Sequence, residues 1–294
     1  MTMTETTPVV AAAEQTTKSA TPGRQRRRPS IITVLAVAWL AIIISAAALA
    51  DFLPLPDPGA VSTAFRAEPG TAGAILGTDA LGRDLLSRVI YGARLSLSVA
   101  FGATAVAAVV GTAIGLFAGY LKGGADFTTE ILTSTVLAFP PLILLIALAA
   151  ALDPSVRMLV IGLAIVGTPS FIRVARAASI AHTGREYVQA AHTLGASTLR
   201  IVLRELLPNV VRPALSFALV IAATLVVAEG SLSFLGLGVP PPAPSWGGMI
   251  AQGQNDLARA PYIVAVPGIA FFLTVYSLNT LGDELSARLG KGDR

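Results

Sequence analysis

The sequence contains no cysteine, only two histidines and few charged residues for its length. The absence of cysteine excludes disulfide bonds and thiolate metal sites. Charged residues make up 13% of the 294 residues and hydrophobic residues 54%, whereas a soluble domain carries about 25% charged residues. With a mean hydropathy of +0.72, the chain is expected to lie in a membrane, provided that its apolar runs are long enough.

Uncharged runs of sufficient length distinguish a membrane protein from a soluble protein with an unusually apolar core. A helix of about 20 apolar residues crosses roughly 30 Å of hydrocarbon. Four runs reach this length. Two shorter runs qualify because Arg157 and Arg173 at the ends of one can reach the interface and the other continues beyond Glu229. The sequence therefore predicts an all-α integral membrane protein with six spans, at residues 31–50, 95–121, 131–152, 158–172, 213–228 and 261–282.

The distribution of basic residues predicts the orientation of the spans. With the amino terminus inside, 15 of the 21 Lys and Arg residues fall on the cytoplasmic side, as the positive-inside rule requires. Both termini are therefore expected to be cytoplasmic. Residues 1–28 are expected to form a disordered basic tail, and the span at 31–50 to remain as an anchor. Basic residues beside a membrane span more often set its orientation than bind nucleic acid. We therefore expect this chain to contact lipid and to bind no nucleic acid.

Glycine and proline inside the spans predict how the helices pack. Gly111, Gly115 and Gly119 share one face of the second span, where a neighbouring helix can approach closely. The Pro140–Pro141 pair and Pro169 lack backbone donors. Kinks are therefore expected at these points.

The hydrophilic segment between the fourth and fifth spans predicts a helix, a turn and a second helix. Residues 186–194 are good helix formers, and Gly195 suits the left-handed position just past a helix end. Ser197 can cap the next helix, which is expected to break near Pro208. A short helix is therefore expected to lie across the cytoplasmic end of the bundle.

The first of these helices combines a slim face with apolar side chains. Ala190 and Ala191 form the slim face, and Tyr187, Val188 and Leu194 are expected to project outward as apolar anchors. Such a helix can dock into a groove on a partner protein. An amphipathic hairpin on the membrane surface fits the same residues, and physics alone favours neither alternative.

This segment resembles the cytoplasmic loop of bacterial ABC importer permeases, whose motif is EAA, three residues, G, nine residues, I, one residue and LP. Gln189 stands in place of the acid and Glu205 in place of the isoleucine, both at helix-surface positions, and Glu186 is a candidate for the displaced acid. The resemblance implies a coupling helix that contacts an ATPase subunit. Its expected residues are Glu186, Tyr187, Gln189, Ala190, Ala191, Gly195, Leu207 and Pro208.

Three further stretches resemble permeases of the dipeptide, oligopeptide and nickel importer family. They are LGTDALGRDLLSR with YGARLSL (76–97), EGSLSFLGLGVP with PSWG (229–247), and PG with NTLGD (267–283). The resemblance covers residues 30–289, with Tyr262 where tryptophan is expected, and indicates the second, C-type permease subunit. It implies the type I ABC importer permease fold with six transmembrane helices. The expected parts are a tail (1–28), a first helix with an extracytoplasmic segment (29–92), a transmembrane core (93–284) and a short cytoplasmic tail (285–294).

The resemblance also implies a complex in a bacterial inner membrane. Its expected members are a second homologous permease, two ATPase subunits and an extracytoplasmic peptide-binding protein. The chain contains no GxxxxGK[ST] phosphate loop. ATP and Mg²⁺ are therefore expected to bind to the partner subunits, and this chain is expected to carry no catalytic residue, metal or cofactor.

Competing functions need groups that the spans do not contain. An intramembrane protease needs catalytic or metal-binding groups at membrane depth, and an ion-driven transporter needs ionisable groups near the midplane. The uncharged spans favour neither class. Peptides are the expected cargo, because naked nickel would favour nitrogen or sulfur ligands along the path. A nickel chelate or glutathione remains an alternative.

Two sets of charged residues are candidates for the outer mouth or the pathway. Asp79 with Arg83, and Asp84 with Arg88, have i,i+4 spacing, which predicts a short charged helix. The charge pairs either stabilise only this helix or also help the binding protein to dock. Glu229, near the end of the fifth span, is expected either to contact headgroups and water or to line the translocation path.

Overall fold

A computed structural model describes residues 30–289 of the chain. The expected disordered tail at 1–28 and the last five residues of the expected cytoplasmic tail lie outside the described residues. Ten α-helices account for most of the described part: α1 (Ile31–Ala48), α2 (Leu85–Leu121), α3 (Gly123–Ala138), α4 (Pro141–Ala151), α5 (Val156–Thr183), α6 (Glu186–Thr193), α7 (Thr198–Arg200), α8 (Leu207–Phe234), α9 (Trp246–Gly253) and α10 (Tyr262–Leu289).

Five helical stretches of the described chain are long and apolar enough to cross a membrane: α1, α2, α5, the stretch from α7 through α8, and α10. The predicted span at 131–152 is instead divided between α3 and α4, which meet at 85° and give a sixth span only if the bent pair is counted as one span. Phe139 is extended, with φ −79° and ψ 134°, because the ring of the following Pro140 disfavours the helical region for the residue before it. The bend expected at this point is thus a complete break.

Helix α2 packs against α5 along the predicted glycine face. A Cβ atom added to Gly111 would lie 2.6 Å from the Cβ of Phe171, and one added to Gly119 would lie 2.8 Å from the carbonyl oxygen of Arg176. No side chain fits between the two backbones at these positions. The predicted close helix contact is confirmed, and α5 continues through Pro169 as one helix.

The predicted break near Pro208 is wrong. A π-helical turn, Ile201–Leu206, joins α7 directly to α8, and Pro208 lies in the first turn of α8. A proline in a first helical turn needs no backbone donor, and the wider π turn adjusts the hydrogen bonding ahead of its ring. The fifth span therefore begins earlier than predicted, within one helical stretch from Thr198 to Phe234.

The two ends of the bundle carry different structures. At one end, residues 53–84 form an irregular segment, here called the cap segment, which contacts the short turn after α9 through an ion pair between Arg66 and Asp256. At the other end, α6 covers a small apolar cluster of its own. This cluster consists of Leu116, Ala175, Val188, Ile201, Val202, Leu206 and Val210.

Candidate functional site

One side chain of helix α6 is completely buried against the rest of the chain. Val188 is 1% exposed and belongs to the apolar cluster beneath the helix. The expectation that Val188 projects outward as an anchor is therefore wrong, because its side chain fills the space under the helix. Leu194 is 86% exposed and Tyr187 38%, so these two of the three expected anchors do face outward.

The two alanines of the predicted slim face point in different directions. Ala191 is partly buried and packs against the cluster under α6, whereas Ala190 is exposed. Glu186 and Gln189 are exposed as well. The outward surface of α6 is therefore formed by Glu186, Gln189 and Ala190, and Ala191 sets the distance between α6 and its own bundle.

Gly195 closes α6 in the manner predicted. Its φ is +76°, in the left-handed region where a side chain is disfavoured. The amide of Ala196 donates to the carbonyl of Ala191 at 3.0 Å, and the amide of Gly195 donates to the carbonyl of His192 at 2.9 Å. These bonds satisfy carbonyls at the helix end and turn the chain sharply into α7. Ser197 stands at the amino-terminal cap position of α7, but its side chain accepts no capping hydrogen bond there.

Two tyrosine–histidine pairs hold the ends of α6, and sequence reasoning missed both. The hydroxyl of Tyr187 lies 3.0 Å from Nδ1 of His182, and Asn209 Nδ2 donates to the same hydroxyl at 3.3 Å. Burial raises the pKa of Tyr187 above its usual value. The second pair joins Tyr120 to His192. No local motif links these residues, because they lie on four helices, α2, α5, α6 and α8.

An open cleft of about 910 Å³ lies beside the start of α6, and its lining includes Arg185, Glu186 and Tyr187. Asn209, which follows the last two residues of the predicted coupling set, also lines the cleft. Leu207 is partly buried against the cluster under α6, and Pro208 is exposed. The structure thus brings the predicted coupling residues together at one end of the bundle.

The charged residues near the start of α2 do not form the predicted short helix. Gly77 and Gly82 have φ of +83° and +75°, which interrupts any helix there. The Asp79 carboxylate instead accepts from the backbone amides of Leu81 at 2.8 Å and Arg83 at 3.0 Å. Asp79 therefore organises a turn of the kind that aspartate favours.

One of the two predicted ion pairs is present in the structure. Arg83 Nε lies 2.6 Å from Oδ2 of Asp79, as expected from the spacing. Arg88 lies near Asp79 rather than Asp84, with 3.5 Å between its Nε and the same Oδ2. Asp84 caps α2 by accepting from the amide of Ser87 at 2.7 Å, which suits a carboxylate at the start of a helix. Asp79, Arg83 and Arg88 are all buried.

Glu229 is completely buried within the chain, at 0% exposure. Ser233 Oγ donates to its Oε1 at 2.7 Å. Directly beyond it, a Cβ added to Gly247 of α9 would collide with the backbone of Gly230. The expected contact of Glu229 with headgroups is wrong, because α9 folds back over this part of α8. Its place in a pathway stays a prediction.

Comparison with known proteins agrees with this architecture. Residues 111–291 match the family described as the inner membrane component of binding-protein-dependent transport systems. The chain is 37% identical over 253 residues to a di/tripeptide transport system permease protein of Pseudomonas aeruginosa, which covers 84% of each chain. It is 38% identical over 209 residues to a glutathione transport system permease protein of Escherichia coli, which covers 71% of this chain and 69% of that relative.

A solved structure shares the fold. The inward-facing MetNI methionine ABC transporter matches with a TM-score of 0.58 at 18% identity, over 70% of this chain and 97% of that one. The helices, their order and these matches define an ABC importer permease subunit, a transport protein whose ATPase is a separate subunit. The chain belongs to the binding-protein-dependent transport family of inner membrane components. Membership implies ATPase and binding-protein partners.

Proposed function

We propose that this chain forms half of a transmembrane pathway for the uptake of dipeptides or oligopeptides. A second, homologous permease forms the other half, and an extracytoplasmic binding protein delivers the cargo. The observation that carries the proposal is the identity of 37% to a di/tripeptide permease over 84% of both chains. The match therefore takes in most of the chain rather than one segment of it.

Helix α6 is the element through which we propose that the ATPase subunit acts. It presents Glu186, Gln189 and Ala190 outward, and Val188 ties it to the cluster beneath. A short helix that packs against its own bundle transmits a displacement to that bundle, whereas a hairpin that lies on the membrane surface does not. Two ATPase subunits are expected to bind ATP and Mg²⁺, and this chain to bind neither.

The orientation follows from the excess of basic residues on the α6 side. Both termini are then cytoplasmic, α6 faces the ATPase, and the cap segment faces the binding protein. The cap segment is held to α10 as well, because the hydroxyl of Tyr262 donates to the carbonyl of Arg66 at 2.5 Å. Tyr262 thus forms a hydrogen bond at the position where the resemblance predicts tryptophan.

Uptake of radiolabelled Ala-Ala tests the cargo. Cells that lack the gene for this chain should lose ATP-dependent uptake, and expression of the chain should restore it when the other subunits are present. Unlabelled Ala-Ala should compete and nickel salts should not. Restoration of nickel uptake without peptide uptake would refute the peptide assignment.

Glutathione is the second candidate cargo, favoured by the identity of 38% to a glutathione permease. It differs from an ordinary tripeptide in its γ-linked glutamate. Competition by unlabelled glutathione against labelled Ala-Ala, in the same cells, separates a general peptide importer from a glutathione importer.

A further inference from the structure

A cavity of about 400 Å³ lies between the cap segment, the start of α2 and α9. It is at the opposite end of the bundle from α6. The volume falls within the range of small-molecule sites, about 300 to 1,000 Å³. Its polar wall contains Asp79, Arg83, Arg88 and Gln252, and its apolar wall includes Met249 and Ile263.

The polar wall has more positive than negative charge. The carboxylate of Asp79 is shared between the guanidinium groups of Arg83 and Arg88. The second acceptor is an uncharged amide: Gln252 Oε1 accepts from Nη2 of Arg83 at 2.9 Å and from Nη2 of Arg88 at 3.3 Å. Two guanidinium groups therefore share a single formal negative charge within this wall.

Arg88 is the unusual member of this group. It is only 1% exposed, and its Nη1 donates to the carbonyl of Pro58 at 3.0 Å. Within residues 30–289, its Nε has no hydrogen-bond acceptor. Its ion-pair partner, Oδ2 of Asp79 at 3.5 Å, is shared with Arg83, and a buried charged donor without a hydrogen bond is costly. An anion that enters the cavity would add a second negative charge beside this guanidinium group and so reduce this cost.

We propose that this cavity binds a carboxylate group, namely the free carboxyl terminus of a short peptide. The inference rests on the peptide cargo proposed above. Guanidinium groups match the planar carboxylate and form charge-assisted hydrogen bonds to it. The carboxylate supplies the charge that Gln252 lacks, and the neighbouring side chain of the peptide packs against Met249 and Ile263. The cavity is thereby a binding site for the cargo at the entrance of the permease.

Because the sequence contains no cysteine, a single introduced cysteine can report on occupancy. Leu81 lines the cavity and is 51% exposed, so Leu81→Cys is the reporter. In the assembled transporter in lipid nanodiscs, without binding protein, the rate of maleimide modification is followed by the mass of this chain. Ala-Ala should slow the modification. Its carboxyl-terminal amide should need a concentration about ten- to a hundredfold higher, the factor that one hydrogen bond to a charged group contributes.

Two substitutions separate a binding site from a merely structural cluster. Gln252→Glu places a carboxylate beside both guanidinium groups, so protection by Ala-Ala should disappear. Asp79→Asn removes the competing charge, so protection should occur at lower concentrations of Ala-Ala. Arg94→Gln is the matched control, since Arg94 lies in the same helix but pairs with Asp51 at 2.9 Å outside the cavity, and it should leave protection unchanged. The modification rate without peptide reports whether each variant keeps the cap segment folded.

Equal protection by Ala-Ala and its amide would overturn the carboxylate site. So would weaker protection in Asp79→Asn, or protection that occurs only when binding protein is present. Cellular uptake of Ala-Ala combined with absent protection would overturn this site and leave the peptide cargo intact. Protection without cellular uptake would refute the cargo instead.

Discussion

The hydroxyl of Tyr120 lies 2.9 Å from Nε2 of His192, and the two rings stack with centroids 6.1 Å apart. Tyr120 stands near the end of α2, and His192 stands in the last turn of α6. The pair thus joins a membrane-spanning helix to the proposed coupling helix.

The substitution Tyr120→Phe keeps the ring and removes this hydrogen bond. A single hydrogen bond contributes about 0.5–1.5 kcal/mol, so amide hydrogen exchange in α6 should become about two- to tenfold faster. Tyr276→Phe, on the exposed face of α10, is the control and should leave α6 unchanged. Identical exchange rates in the parent chain and Tyr120→Phe would show that the contact adds nothing to the stability of α6.

The different directions of Ala190 and Ala191 give the proposed coupling surface a direct test. Ala190→Arg adds bulk and charge to the outward face, so the chain should reach the membrane in normal amount yet fail to co-purify with the ATPase subunits. Ala191→Arg pushes against the chain's own cluster and should also loosen α6, seen as faster hydrogen exchange. Normal peptide uptake by Ala190→Arg would contradict the coupling role.

The left-handed conformation of Gly195 predicts a strict requirement for glycine. Gly195→Val introduces a β-branched residue at φ +76°, at a cost of about 1–3 kcal/mol. Peptide-stimulated ATPase activity of the assembled complex should fall, although membrane abundance stays normal because the turn lies outside the lipid. Gly184→Val is the control, since its φ of −84° suits a side chain. If both variants couple equally well, the turn has no mechanical importance.

The contact between α2 and α5 predicts which glycines tolerate side chains. A Cβ added to Gly115 would lie 2.9 Å from the backbone nitrogen of Arg176, whereas one added to Gly124 meets nothing within 4 Å. Gly115→Leu should therefore strongly reduce the amount of folded chain in the membrane, and Gly124→Leu should not. Immunoblotting of membranes measures both, and equal amounts would argue against close packing of the two helices.

The proposed orientation predicts that the two ends of the bundle face different compartments. Thr63 in the cap segment and Ser197 after α6 are both exposed. In the cysteine-free chain, Thr63→Cys should react with an impermeant maleimide in intact cells, and Ser197→Cys only after the membrane is opened. Reaction of both in intact cells would refute an arrangement in which both termini are cytoplasmic.

Features that depend on neighbours in the sequence were predictable. The glycine face of α2 and the left-handed Gly195 both follow from local residue chemistry, and the structure has both. Most spans could be predicted from the sequence because their apolar composition alone favours the membrane over water. The division of the third span was underestimated, although the proline pair that causes it was recognised.

Features that depend on distant residues were not predictable. Arg88 was paired with Asp84 by helical spacing, but its neighbours include Asp79 and Gln252, the second of which is 164 residues away. In the same way, the burial of Glu229 in α8 depends on α9, which follows α8 in the sequence and folds back against it. One sequence shows charges and spacing, whereas the packing of separate helices decides which charges meet.

The absence of room between α2 and α5 limits how the molecule can move. Two backbones in contact at Gly111, Gly115 and Gly119 cannot slide past each other without collision, so we expect the two helices to tilt as a single stiff rod. With 37 residues in α2, at about 1.5 Å each, the rod is about 55 Å long. Arg88 stands at one end and the entry to α6 at the other. A small rotation at the proposed ATPase-facing end would therefore move the proposed peptide site, without any chain of intervening side-chain rearrangements.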